Sequence, residues 1–204
     1  MTAILFTQIV FVCLLGAMSP GPSMVVVVNN AIFKNKFNGI LTALGHGFGI
    51  GIYALFAVLG ISFIIETNLI LFNAIKIFSI FFLLYLGIKA FIKENKLDFN
   101  QNKIKSGGVS FLQGLSISIL NPKIFIWFVA IYSQFMSMKN DFFLNISLVV
   151  IASVIDALWY IFLVNIVTYK KILKIIKTKA NMIERLIGFL FIIISMILFL
   201  SLFI

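Results

Sequence analysis

Hydrophobic positions along this chain gather into six long runs, separated by shorter polar stretches. The runs cover residues 4–28, 39–64, 69–92, 109–136, 142–168 and 183–204. Each matches the roughly 20 residues that a helix needs to cross a hydrocarbon core of about 30 Å. The pattern predicts an all-α integral membrane protein with six transmembrane helices in a single domain, residues 1–204. The runs form two sets of three, 1–92 and 109–204, joined by the polar stretch 93–108, which is expected to be a cytoplasmic loop. Three is odd, so the second set must cross the membrane in the opposite sense to the first. The expected architecture is therefore two inverted three-helix repeats.

Two polar breaks interrupt the pattern at matching places. Ser19-Pro20-Gly21-Pro22, followed by Ser23, falls inside the first run, and Asn121-Pro122-Lys123 falls inside the fourth. All three prolines of the chain are here. Proline inside a helix removes a backbone hydrogen bond and clashes with the carbonyl four residues earlier. Pro20 and Pro22 would disturb the carbonyls of Gly16 and Met18, and Pro122 that of Ser118. In lipid such carbonyls must find another partner. Paired interruptions in corresponding helices of two halves point to a transport site, so the first and fourth helices are expected to be broken and to meet. A half-helix starting near Pro22 would offer free N–H groups to an anion. Asn121 would add an amide, and Lys123 a full positive charge.

Composition sharpens the membrane reading. Hydrophobic residues make up 62% of the chain and charged ones 11%, with a mean hydropathy of +1.18, far from soluble proportions. The first run lacks a basic segment before it and is too long for a secretory leader, so it is expected to span. The net charge of +10 reflects where the basic residues sit rather than a nucleic-acid partner. Thirteen lie in the stretches after the first, third and fifth helices, and only Lys139 lies on the opposite side. By the positive-inside rule both termini are outside and the basic loops face the cytoplasm. The lone cysteine, Cys13, permits no internal disulfide and reads as a small apolar residue on a helix face.

Few side chains in the spans can carry chemistry. Lys123 lies near the middle of its run, where an ionisable group costs about 2.5–3.5 kcal/mol on insertion scales and must face a partner or a wet cavity. Asp156 is the one acidic residue deep in a span, either paired with Lys123 or free to hold a proton or a substrate ammonium. His46 is a second proton-coupling candidate, although its position also suits a hydrogen-bonded packing residue. Lys76 can snorkel to the outer surface. Asn29 and Asn30 are expected to line a cytoplasmic vestibule, and Asn38 to cap the second helix. Gly45, Gly47, Gly49 and Gly51 would let neighbouring backbones approach. Trp127, Trp159 and the many phenylalanines read as lipid-facing or packing groups.

Several classes are excluded by what the chain lacks. There is no phosphate-binding glycine loop, no His-Glu-x-x-His helix and no serine nucleophile elbow. No enzyme, no cofactor and no metal site is expected, and a secondary transporter is the best class. A cation or metal efflux protein is the alternative, but Asp, Glu, His and Cys are scarce in the spans and Lys123 would repel a cation.

An ordered set of motifs resembles the LysE/RhtB family of amino-acid exporters. Ser19-Pro20-Gly21-Pro22 resembles its first-helix signature, Asn38-Gly39 and Ala43-Leu44-Gly45 the start of its second helix, and Tyr85-Leu86-Gly87-Ile88-Lys89 the end of its third. Phe111, Gly114 and Leu120-Asn121-Pro122-Lys123 resemble its fourth-helix signature, with Gln134-Phe135 beyond. Where many members carry an acidic residue in the second helix, this chain has Gly49–Tyr53. The resemblance implies a bacterial inner-membrane exporter of amino acids or related small metabolites, driven by the proton motive force. Its partners would be an amino acid, protons and the bilayer, and it is compatible with a homo-oligomer. The direction of transport comes from the resemblance alone.

Overall fold

The computed structural model describes residues 3–92, 97, 99, 109–136, 142–167, 169–200 and 202. Most of the expected loop 93–108, with Lys93, Lys96, Lys103 and Lys105, lies outside the described residues, as does Lys139. Among these residues the chain forms eight α-helices: α1 Ala3–Met18, α2 Pro22–Asn29, α3 Lys36–Thr67, α4 Leu69–Ile92, α5 Ser110–Ile119, α6 Pro122–Phe135, α7 Phe142–Val167 and α8 Lys170–Leu200. A π-helical turn, Asn30–Lys34, prolongs α2.

Four stretches, α3, α4, α7 and Lys171–Leu200 of α8, are each long and apolar enough to cross a membrane. Two further candidates are bent pairs: Ile4–Met18 with Pro22–Lys34 turns by 70°, and Ser110–Ile119 with Lys123–Phe135 turns by 61°. The expected breaks are real, but the prolines act differently from a kink in mid-helix. Pro22 and Pro122 each begin a new helix, where a fixed φ suits the first turn and the missing N–H costs nothing. Two of the three carbonyls expected to be stranded, those of Gly16 and Ser118, are taken up by turns. Ser19 N–H donates to Gly16 O at 3.3 Å, and Asn121 N–H to Ser118 O at 3.3 Å.

Two boundaries differ from the sequence expectation. Asn35, not Asn38, caps α3: its Oδ1 accepts from Asn38 N–H at 2.9 Å and from Asn38 Nδ2 at 3.0 Å. The helix therefore starts a turn earlier than its apolar run. α8 likewise begins at Lys170, well before residue 183. Lysine is a good helix former, so hydropathy locates the apolar stretch but not the start of the helix.

The glycines of α3 explain how the bundle closes. In a helix, residues two apart point to opposite sides and residues four apart share a side. Gly45 and Gly49 therefore face α5, against the Phe111 carbonyl and the Ser118 hydroxyl, while Gly114 of α5 meets the Thr42 carbonyl. Gly47 and Gly51 face α7: a Cβ on Gly47 would lie 2.7 Å from Ala157 Cβ, and one on Gly51 3.2 Å from Ser153 Oγ. Ser153 Oγ also donates to Gly47 O at 2.8 Å. Such interhelical bonds average about 0.6 kcal/mol in membranes, so close packing over small residues contributes the larger share. α4 and α8 cross in the same way, with Gly87 against Gly188.

Two apolar clusters fill the interior. One contains Ile50, Ala54, Trp127 and Ala152; the other contains Met24, Val28, Ala43 and Tyr160. Along α3 the seam between them falls at His46, and along α7 it falls at Asp156. Many large apolar residues point outward, including Phe48, Phe56, Phe63, Phe78 and Phe81, as a lipid-facing surface requires. Of the two roles expected for Trp127, lipid-facing or packing, the structure gives packing, since the ring is buried in the first cluster.

Candidate functional site

The two breaks come together in space. Lys123, in the first turn of α6, donates from Nζ to Ser19 Oγ at 3.3 Å, across 104 positions of sequence. Ser19, Pro20, Gly21, Pro22 and Ser23 from the first break, with Asn121 and Lys123 from the second, line one cavity of about 90 Å³. Pro122 opens α6 between those last two. Thus each deep polar residue singled out by the breaks lies at one cavity or beside it.

The helix starts differ in what they offer. Asn121 caps α6 itself, its Oδ1 accepting from Lys123 N–H at 3.2 Å. The carboxamide oxygen anticipated for a ligand is thus engaged in starting the helix. Gly21 begins α2 in an extended conformation (φ −176°) and has no side chain to cap it. Pro22 has no N–H, so the first N–H groups of α2 are those of Ser23 and Met24, with no side-chain cap, and a helix start of this kind favours an anionic group.

The opposite wall comes from α3 and α7, through His46, Ile50, Ala152, Asp156 and Tyr160. His46 Nδ1 lies 2.6 Å from Asp156 Oδ2, with the residues only 1% and 5% exposed. The partner that the structure gives Asp156 is therefore His46. Packing geometry is the reason. α3 and α7 run antiparallel at close range, Gly39 against Val164 and Gly47 against Ala157, which sets residue 46 opposite residue 156. A neutral imidazole donating from Nδ1 to a carboxylate makes a pair with one negative charge in all; an imidazolium in the same place makes the pair neutral. Tyr160 packs edge-on against the imidazole, with ring centroids 4.9 Å apart.

The remaining lining is mostly apolar, from Cys13, Ala17, Ile124, Trp127, Phe128 and Phe191. Cys13 thus sits on the cavity wall and not merely on a packing face. His46 Nε2 and Trp127 Nε1 are both buried without a hydrogen-bond partner among the described residues. A buried polar atom left unpaired costs about 1–3 kcal/mol, so a ligand meeting either of them would recover part of that cost.

One sequence expectation is redirected. Asn29 and Asn30 are buried, at 3% and 2% exposure, rather than facing a vestibule. Asn30 Nδ2 donates to Gln113 Oε1 at 2.8 Å, and Ser110 Oγ to Asn38 Oδ1 at 2.7 Å, a polar knot joining α2, α3 and α5. Lys76 lies half-buried over the Phe72 ring, 5.7 Å from its centroid. Tyr160 was missed, although its place one turn after Asp156 puts both on one face of α7. The apolar wall could not be read from the sequence, because tryptophan and phenylalanine are common on every side of a membrane helix.

Comparison with known proteins places this arrangement. The profile of the family described as LysE type translocator matches residues 14–202. An uncharacterized membrane protein, YrhP of Bacillus subtilis, is 32% identical over 165 residues, covering 74% of this chain and 78% of the relative. The leucine efflux proteins of Salmonella typhimurium and Salmonella choleraesuis are each 30% identical over 119 residues, covering 57% of this chain and 56% of theirs. The chain thus spans just over half the length of those two relatives. No solved structure matches. A six-run hydrophobic pattern, two proline breaks in register and a match along nearly the whole sequence agree: this membrane protein belongs to the LysE type translocator family.

Proposed function

We propose that the chain is a secondary active exporter of amino acids with aliphatic side chains, exchanging them for protons. The observation that carries this reading is the single cavity on which both helix breaks and the His46–Asp156 pair converge. A carboxylate would be held by Lys123 and the start of α2, among Ser19, Pro20, Gly21, Pro22 and Ser23, with Asn121 and Pro122 fixing the lysine. Charge-assisted bonds of this kind are the strong ones in a dry site. The ammonium would be attracted to the deprotonated His46–Asp156 pair and not to the protonated one. Substrate and proton then compete for one negative charge, which is the elementary requirement for exchange. The side chain would rest on Ile124, Trp127, Phe128 and Phe191, a wall suited to an aliphatic group, and the leucine efflux relatives support that class.

The inverted repeat belongs to the same proposal. Matching the halves break to break pairs Pro20 with Pro122. Residues of both breaks line one cavity, which supports a two-fold relation between the halves. Six spans with both termini outside the inner membrane complete the picture. A metal cargo is disfavoured by a wall that brings Lys123 alongside one carboxylate and one imidazole.

The test is efflux from vesicles loaded with a panel of radiolabelled amino acids. Leucine, isoleucine and valine are expected to leave faster with the protein than without it, and faster under an imposed proton gradient. Efflux of basic or acidic amino acids alone would contradict the reading.

A further inference from the structure

A second and larger cavity, of about 320 Å³, adjoins the first across the Ser19–Pro22 break. The two share Ser19, Pro20, Gly21, Pro22, Lys123 and Phe191. Beyond that shared wall the second cavity is built by α4, α6 and α8, and it carries charges of both signs, Lys89 and Lys123 against Glu184. The surrounding surface is apolar, with Phe82, Leu86, Ile126 and Ile187.

We infer that this second cavity is an antechamber that binds a zwitterionic amino acid before it enters the inner cavity, its carboxylate toward Lys89 and Lys123 and its ammonium toward Glu184. The inference rests on the amino-acid exporter reading and adds to it a loading site and two residues, Lys89 and Glu184, that the inner cavity does not contain. A purely apolar fenestration would suit a lipid tail, which has no use for three charged side chains. An inorganic anion or an anionic headgroup would meet Glu184 as a like charge. A zwitterion satisfies both signs at once. Lys89 is also held in place rather than loose: its Nζ donates to Tyr85 Oη at 3.0 Å and lies 5.1 Å from the centre of that ring. The crossing of α4 over α8 that frames the cavity is fixed by Gly188, where a Cβ would lie 2.8 Å from the Gly87 carbonyl oxygen.

Position gives the antechamber its role. Lys89 stands in the last turn of α4, next to the basic stretch that the charge pattern assigns to the cytoplasm. An exporter loads from that side. Lys123 is common to both cavities, so one lysine can receive the carboxylate from Lys89 and keep it as the amino acid passes the Ser19–Pro22 wall. Glu184 would release the ammonium as the His46–Asp156 pair takes it.

The test is the concentration dependence of radiolabelled L-leucine export by the full-length chain in proteoliposomes. Lys89→Gln and Glu184→Gln are each expected to raise KM about tenfold, the loss of one charge-assisted contact, with the pH profile unchanged. Their maximal rates should stay within about twofold, because binding common to ground and transition states is what they remove. Lys89→Arg and Glu184→Asp keep the charge and should keep most of the affinity, which separates the site from a folding defect. An unchanged KM in both glutamine variants would overturn the antechamber while leaving the inner cavity as the export site. A fall in maximal rate at constant KM would overturn it equally. Failure of the unaltered protein to export leucine at all would instead overturn the substrate reading on which both rest.

Discussion

His46 and Asp156 are separated by 110 positions in the chain, and their side chains meet at 2.6 Å. The pair sits at the seam between two apolar clusters, so each partner is the other's main compensation for burial. Removing one partner of a buried pair costs about 3–5 kcal/mol, because the survivor is left uncompensated. His46→Ala is therefore expected to lower the melting temperature in detergent markedly. Asp156→Asn keeps a hydrogen-bonding group beside the imidazole and should cost less. Equal melting temperatures for the two variants would contradict a tightly held pair.

Lys123 is expected to act through its charge. Lys123→Met should insert and fold, because a deep lysine costs about 2.5–3.5 kcal/mol on insertion scales and methionine costs far less. Export should be lost all the same. Lys123→Arg should retain part of it. Initial efflux rates at matched membrane abundance decide the matter, and full activity in the methionine variant would reduce Lys123 to a structural contact with Ser19.

The glycine contacts make a graded prediction. Gly114→Ala would drive a methyl group into the Thr42 carbonyl of α3, backbone against backbone, and overpacking of this kind costs about 1–3 kcal/mol or more. At Gly60 a Cβ meets nothing within 4 Å, so Gly60→Ala should change stability by no more than about 1 kcal/mol, in the stabilising direction. Thermal unfolding of the two variants, side by side, checks the contrast.

Asn121 is expected to matter through the helix start. Asn121→Ser preserves a cap of comparable strength, whereas Asn121→Ala loses about 1 kcal/mol. The serine variant should keep most of the export and the stability. A serine variant that is stable but inactive would show that the carboxamide touches substrate directly.

Much of this could be read from the order of residues, and the exceptions have physical causes. The runs at 69–92 and 142–168 foretell α4 and α7 almost residue for residue, because a predominantly apolar helix in lipid is bounded by polar residues at both ends. The two breaks were visible because proline and its polar neighbours are expensive in a span. What escaped was pairing across helices. Asp156 read as paired with Lys123 or free, and His46 as a packing residue or proton relay; only the face-to-face packing of Gly47 on Ala157 sets the two opposite each other. The start of α8 escaped for a different reason: its lysine-rich first turns are helical without being apolar, and hydropathy does not register them.

The account stands or falls on whether Asp156 couples the proton to the amino acid. In inverted membrane vesicles with an acidified lumen, the unaltered protein should accumulate radiolabelled leucine above its equilibrium level, and more steeply as the gradient grows. Asp156→Asn should still bind leucine and equilibrate it across the membrane, with neither pH dependence nor accumulation. Concentrative uptake by Asp156→Asn under the same gradient would contradict the account and move the coupling group elsewhere, with His46 the next residue to replace.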